Sequence, residues 1–278
     1  MKPGTESQTA VMVAAARAAA HGRSAVAAFS DPTALSLLPA DARRRVEQHL
    51  DGVPPKGFRE RLQRGLLEGR MKMMVPRTVA IDEAIRAAAA RQLVILGAGL
   101  DGRAWRMPEL ADTVVFEVDH PDSQRRKRER AAALKPAARE LRFVPVDFTR
   151  DSLEAALAAA GHDPAQPTTW LWEGVVMYLE RADIEATLRV VHARSAPGSQ
   201  LAILYISPSL VRKAAGLVLG LIGEPFHSTF SAAQMRALLA GFGFSVLQDD
   251  DLSTIARRLG AASSRVFEDV RLVSAELR

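Results

Sequence analysis

The chain has 278 residues, 48 % of them hydrophobic and 25 % charged, which suits one large α/β domain with an appendage. It contains no cysteine, which excludes disulfide frameworks, thiolate nucleophiles and cysteine-based zinc or iron–sulfur sites. A formal charge of +5 is a modest excess and aromatics reach only 5 %, so neither a strong field nor a base-stacking platform points to nucleic acid.

At the start of the chain, the apolar stretch from Val11 to Ala20 is interrupted by Arg17 and preceded by Glu6, unlike the uncharged core of a signal peptide. The longest uncharged apolar run, residues 214–223, is far shorter than the roughly 20 residues a spanning helix needs. A soluble, cytoplasmic, enzyme-sized protein that meets neither membrane nor nucleic acid is the expectation. Helical spacing of apolar residues predicts helices over Thr9 to Ala20, Asp41 to Leu50 and Phe58 to Glu68, and another from about Pro76 to Ala90. Val53-Pro54-Pro55-Lys56-Gly57 is the clearest break. Residues 1–90 therefore read as an Ala/Arg-rich helical cover and residues 91–278 as a sheet domain.

From Arg91 onward short apolar runs alternate with helix-like segments: Gln92 to Leu96, Thr113 to Val118, Leu141 to Val146, Thr169 to Trp172 and Gln200 to Ile206. Strands apolar on both faces and separated by helices predict a mostly parallel sheet buried on both sides. Phe244 to Leu247 and Arg265 to Val273 supply two last strands, with a capped helix opening at Ser231-Ala232-Ala233-Gln234 before them.

The first strand runs into Gly97-Ala98-Gly99-Leu100-Asp101-Gly102, a turn in which glycine lets the backbone bend tightly and lets a ligand approach the main chain. Asp119 ends the second strand twenty positions after Gly99, where an acid can accept both hydroxyls of an adenosine ribose in NAD or in S-adenosylmethionine. Asp147 follows the third strand, placed to accept an adenine amine, with Phe148 beside it as an apolar wall. Glu173 closes Trp170-Leu171-Trp172-Glu173, and a carboxylate among tryptophans requires a cation: either the ammonium of a sulfonium cofactor or a nearby arginine.

The stretches Ile95-Leu96-Gly97-Ala98-Gly99-Leu100-Asp101, Phe116-Glu117-Val118-Asp119 and Glu173-Gly174-Val175-Val176-Met177-Tyr178-Leu179 resemble the leucine carboxyl methyltransferase family of class I S-adenosylmethionine-dependent methyltransferases, in particular its bacterial O-methyltransferase branch. Asp31-Pro32, Arg77-Thr78 and Asp82 resemble further features of that branch, and the similarity covers roughly residues 10 to 250. The resemblance implies a doubly wound, Rossmann-like sheet of seven strands with the last antiparallel. It implies S-adenosyl-L-methionine as cofactor, with Arg77 on its carboxylate, Gly97 and Gly99 beneath it, Asp119 on the ribose, Asp147 and Phe148 on adenine, and Glu173 beside the methionine portion. The family's Asp-Thr-Arg is here Asp101-Gly102-Arg103, and its Asp-Leu-Arg is Asp147-Phe148-Thr149, which removes an arginine suited to an acidic substrate.

Direct in-line methyl transfer to a small-molecule carboxylate needs no base, whereas a phenol or alcohol gains from one. The candidates are His120, His162, His192 and His227, with Tyr178 as a positioning hydroxyl; Tyr178 and His227 are the catalytic choices. Arg43-Arg44-Arg45 and the run Arg125 to Arg130 read as surface charge or as a patch for an acidic partner, and Met71, Met73 and Met74 as helix packing or a lid. No metal site is expected, and the oligomeric state stays open. Two alternatives remain: an NAD(P)-dependent oxidoreductase using the G-x-G-x-x-G turn, and a cofactor-binding protein without catalysis.

Overall fold

The computed structural model describes residues 7–148, 150–208 and 227–278. The apolar run 214–223, the loop residues 224–226 and Thr149 lie outside the described residues.

The helical portion opens with α1 (Gln8–Ala20), capped by the Ser7 hydroxyl accepting from the Ala10 amide at 3.2 Å, and continues through α2 (Ala34–Leu37) and α3 (Ala40–Leu50). The helix α4 (Phe58–Ala88) is one unbroken element of 31 residues with Pro76 inside it. Two separate helices were expected there. Proline lacks only its own N–H and clashes with one carbonyl, a cost that the tertiary packing of Met74 to Ile85 offsets.

The sheet domain then alternates strands and helices: β1 (Gln92–Leu96), α5 (Arg103–Arg106), β2 (Val114–Asp119), α6 (Pro121–Ala131), β3 (Glu140–Pro145), α7 (Leu153–Ala159), β4 (Thr168–Trp172), α8 (Arg181–Ala193) and β5 (Gln200–Ile206). After it come α9 (Ala232–Ala240), β6 (Phe244–Asp251), α10 (Leu252–Arg258) and β7 (Val270–Leu277). The predicted capping box at Ser231 and Gln234 is formed. The last strand differs from the prediction, since Arg265–Asp269 is a 3-10 turn and pairing begins only at Val270.

The seven strands lie in the order β3-β2-β1-β4-β5-β7-β6, with β1 to β5 parallel and β7 antiparallel to both neighbours. This is the doubly wound α/β sheet expected from the alternating runs. Along β1, Leu93 and Ile95 enter the core shared with α1 and α4, while Val94 and Leu96 enter the opposite core with Phe116, Trp170 and Trp172. The period of two in a strand buried on both faces explains why residues 93–96, LVIL, read as continuously apolar. The strand order reverses between β1 and β4, so a crevice opens at their carboxyl ends, where such sheets bind ligands. Among the described residues, no helix is long and apolar enough to cross a membrane.

Candidate cofactor site at the carboxyl ends of the strands

Gly97 takes φ +69°, the left-handed region glycine tolerates, and a Cβ there would lie 2.5 Å from Val175 Cγ2. A Cβ on Gly99 would lie 3.1 Å from the Ala10 Cβ and one on Gly102 2.1 Å from Thr33 Oγ1. The glycines thus admit the helical cover, and not only a ligand, against the turn. The turn's amides are also largely committed. Gly97 and Ala98 donate to the Val118 carbonyl at 2.8 and 3.0 Å, Gly99 donates to the Asp119 carboxylate, and Asp101 donates to Ala98 at 2.8 Å. The helix that follows spans only Arg103–Arg106. A dinucleotide pyrophosphate needs free amides at the start of a substantial helix, so this turn suits that anion poorly.

Asp119 accepts from the Gly99 amide through one oxygen and from the His120 amide at 2.6 Å through the other. Burial pushes its carboxyl up, and these two amides pull it part of the way back. Each oxygen keeps a further lone pair, as a ribose acceptor requires. Asp147 lies just past β3, its amide donating to Asp151 at 2.8 Å and its carboxylate 3.9 Å from Arg150. Phe148 is 50 % exposed, which leaves a face for an aromatic ring.

Arg77 and Glu173, assigned to opposite ends of one amino acid, meet each other: Arg77 Nε lies 2.6 Å from Glu173 Oε1. The second oxygen of Glu173 takes Arg103 Nη1 at 2.7 Å. The charge Glu173 needs is therefore supplied by two protein arginines, the second of the two partners considered for it. Burial alone would raise its carboxyl, but Arg77 and then Arg103 reverse this and hold it well below the usual range. Arg77 spends only Nε in this pair. Its terminal nitrogens make no hydrogen bond among the described residues, so the outer fork can grip a carboxylate.

Sequence reasoning missed the network behind this pair. Arg103, 1 % exposed, also donates through Nε to Asp82 at 2.8 Å and through Nη1 to Asp101. Burial raises the Asp101 carboxyl, but Arg103 and then Arg17 together outweigh it and leave it below its ordinary range. Arg106 grips both oxygens of Asp82 at 2.7 and 2.9 Å, and Arg17 pairs with Asp31 at 2.9 Å while donating to the Leu100 carbonyl at 2.6 Å. Four arginines thus face Asp31, Asp82, Asp101 and Glu173, a neutral set to which a zwitterionic amino acid adds no net charge. A usable signal existed in Arg17, a lone charge inside the otherwise apolar helical run from Ala10 to Ala20.

Tyr178 sits in the 3-10 turn Val176–Tyr178 after β4, half-buried against the cover-side core. His227 is tied to the same loop by its amide, which donates to Met177 at 2.8 Å, and its Nδ1 lies 2.9 Å from Glu180. The other histidines are placed elsewhere. His120 caps α6, His162 is buried between Thr168 and Arg194, and His192 packs near Gly243.

The methionines resolve as packing, with Met74 buried and Met71 and Met73 against the core. The surface-charge reading of the α6 run is wrong for Lys127, which is 1 % exposed and 2.7 Å from the fully buried Glu117. Its position turns it inward beneath Trp105, 5.1 Å from the ring centroid.

A family model for leucine carboxyl methyltransferase matches residues 10–192. The chain belongs to the leucine carboxyl methyltransferase family. It is 41 % identical over 213 residues to a protein of Mycolicibacterium gilvum that carries the provisional name S-adenosyl-L-methionine-dependent methyltransferase, with 73 % of this chain and 66 % of the relative covered. A provisionally named methyltransferase of the same kind from Frankia alni is 37 % identical over 212 residues, covering 75 % of this chain and 71 % of the relative. The chain thus spans about two thirds of the length of these relatives.

In fold, it is similar to a DUF574 family protein from Streptomyces avermitilis (TM-score 0.61, 11 % identity, 98 % of each chain). It is also similar to magnesium protoporphyrin IX methyltransferase from Synechocystis PCC 6803 with SAH bound (TM-score 0.50, 14 % identity, 86 % of this chain and 95 % of that one). The cofactor of this family of methyltransferases is S-adenosylmethionine, and the crevice fits it. The outer fork of Arg77, the Glu173 carboxylate and the spare lone pairs of Asp119 supply the donors and acceptors such a molecule needs.

Proposed function

We propose that this family member is an S-adenosylmethionine-dependent O-methyltransferase acting on a small molecule through a carboxylate or hydroxyl acceptor. The observation that carries the reading is the Arg77–Glu173 pair at the carboxyl end of β4, with the terminal nitrogens of Arg77 uncommitted. Arg77 would hold the cofactor's carboxylate, Glu173 its ammonium, Asp119 its ribose, and Asp147 with Phe148 its adenine, above the turn at Gly97 and Gly99. When bound, the sulfonium supplies an electrophilic methyl group.

The chain's own work is alignment and exclusion of water. Residues 1–90 act as the cover, with α1 and the Asp31 loop lying directly on the glycine turn. For a carboxylate acceptor that work suffices. For a hydroxyl acceptor, His227 takes the proton, and Glu180 on its Nδ1 orients the ring and leaves Nε2 to act as base. Tyr178, in the same loop, positions the acceptor by its hydroxyl.

Methyl transfer from labelled S-adenosylmethionine to a panel of carboxylic acids and phenols tests the reading. Label is expected in base-labile esters or base-stable aryl ethers. Binding of the cofactor with no transfer to any oxygen acceptor would leave the non-catalytic reading in its place. His227→Gln should lower kcat on a phenol and leave a carboxylate acceptor unaffected.

A further inference from the structure

The most constrained side chain in the crevice has no place in the assignments above. Arg103 opens α5 immediately after the glycine turn, and its guanidinium is held by carboxylates from three elements: Asp82 on α4, Asp101 in the turn and Glu173 after β4. We propose that Arg103 is a positioning residue for the cofactor's amino-acid end, fixing the Glu173 carboxylate in the orientation that receives the ammonium group. This rests on the S-adenosylmethionine reading above.

Glu173 follows the last residue of β4 and carries its carboxylate on three rotatable bonds, and one contact to Arg77 would leave its second oxygen free to turn. Arg103 Nη1, 2.7 Å from that oxygen, removes the freedom. Arg103 is itself immobilised by Asp82, whose other oxygen is taken by Arg106 at 2.7 Å, so the restraint reaches back into the helical cover.

Two observations favour positioning over mere cross-linking. Buried ion pairs stabilise a fold no better than well-packed apolar side chains of similar volume, so stability alone does not call for an eight-membered charged set. Arg103 Nη2 is also buried without a partner, a cost that a bridge selected only for stability would avoid. The planar fork is needed because it reaches Asp82 through Nε and Glu173 through Nη1, two directions that a lysine ammonium cannot serve from one point.

The test compares two ligands by calorimetry: S-adenosylhomocysteine, which has the amino acid, and 5′-methylthioadenosine, which lacks it. Arg103→Lys keeps the charge and should weaken S-adenosylhomocysteine at least tenfold while leaving methylthioadenosine within twofold of wild type. Equal weakening of both ligands, or of neither, overturns the inference. Should Arg103→Lys fail to fold, Asp82→Asn removes the Nε anchor with Arg103 intact and should give the same split, smaller in size; no split there overturns the inference as well. Failure of the wild-type chain to bind S-adenosylhomocysteine would instead overturn the underlying cofactor reading.

Discussion

Gly97→Ala probes whether the glycine turn is dictated by the protein's own packing. Two penalties add. The left-handed φ of +69° costs about 1–2 kcal/mol once a Cβ is present. The new methyl group at 2.5 Å from Val175 Cγ2 adds an overpacking cost of about 1–3 kcal/mol. Together they predict a loss of about 2–5 kcal/mol. Val175→Ala removes Cγ2 and leaves the Val175 Cβ position at an ordinary 3.7 Å from the added carbon, so it should relieve the second penalty and not the first. Urea unfolding of the wild type, both single variants and the double variant closes the cycle. The expected coupling is about 1–3 kcal/mol, with Gly97→Ala costing only about 1–2 kcal/mol in the Val175→Ala background. Additivity within about 0.5 kcal/mol, or a Gly97→Ala loss below about 1 kcal/mol, would refute the reasoning.

Burial, and then Arg194, lower His162 from 6.5 to about 4, so the folded chain prefers the neutral ring. Its contribution, on the order of 3 kcal/mol, is complete above pH 6.5 and is lost as pH falls toward 4; His162→Gln should flatten that part of the stability–pH curve in urea melts at pH 5 and 7.5. Burial pushes Glu117 up to about 7 even with Lys127 beside it. Lys127→Met should cost about 3–5 kcal/mol, more at pH 8 than at pH 5 because ionising Glu117 then lacks its cation, and Glu117→Leu with Lys127→Met should recover much of the loss in thermal melts. Arg77→Ala should weaken S-adenosylhomocysteine at least tenfold by calorimetry, since a charge-assisted pair of about 1.5–3 kcal/mol is removed.

The centre of the sheet was legible because β1, β4 and β5 are buried on both faces: QLVIL, TWLW and QLAILYI contain few polar residues, and Glu173 marks where β4 leaves the core, as Asp119 does for β2. The unity of α4 was not legible. Local rules start a helix at Pro76, and only the tertiary burial of Met74 to Ile85 carries the helix through it. Nor was the partner of Glu173 legible. The cost of a carboxylate beside Trp170 and Trp172 required a cation, but Arg77 is 96 positions away and Arg103 is 70, separations that only the fold brings together. Lys127 fell to a similar limit, since in Arg125-Arg126-Lys127-Arg128 nothing local distinguishes the one residue that turns inward.

On the proposed reading, the crevice at the ends of β1, β2 and β4 receives the amino acid and ribose of S-adenosylmethionine and not a dinucleotide pyrophosphate. Calorimetric titration of the wild-type chain with S-adenosylhomocysteine and, separately, with NADH tests it most directly. Micromolar binding of S-adenosylhomocysteine with no heat from NADH is the predicted result; micromolar binding of NADH alone would contradict it.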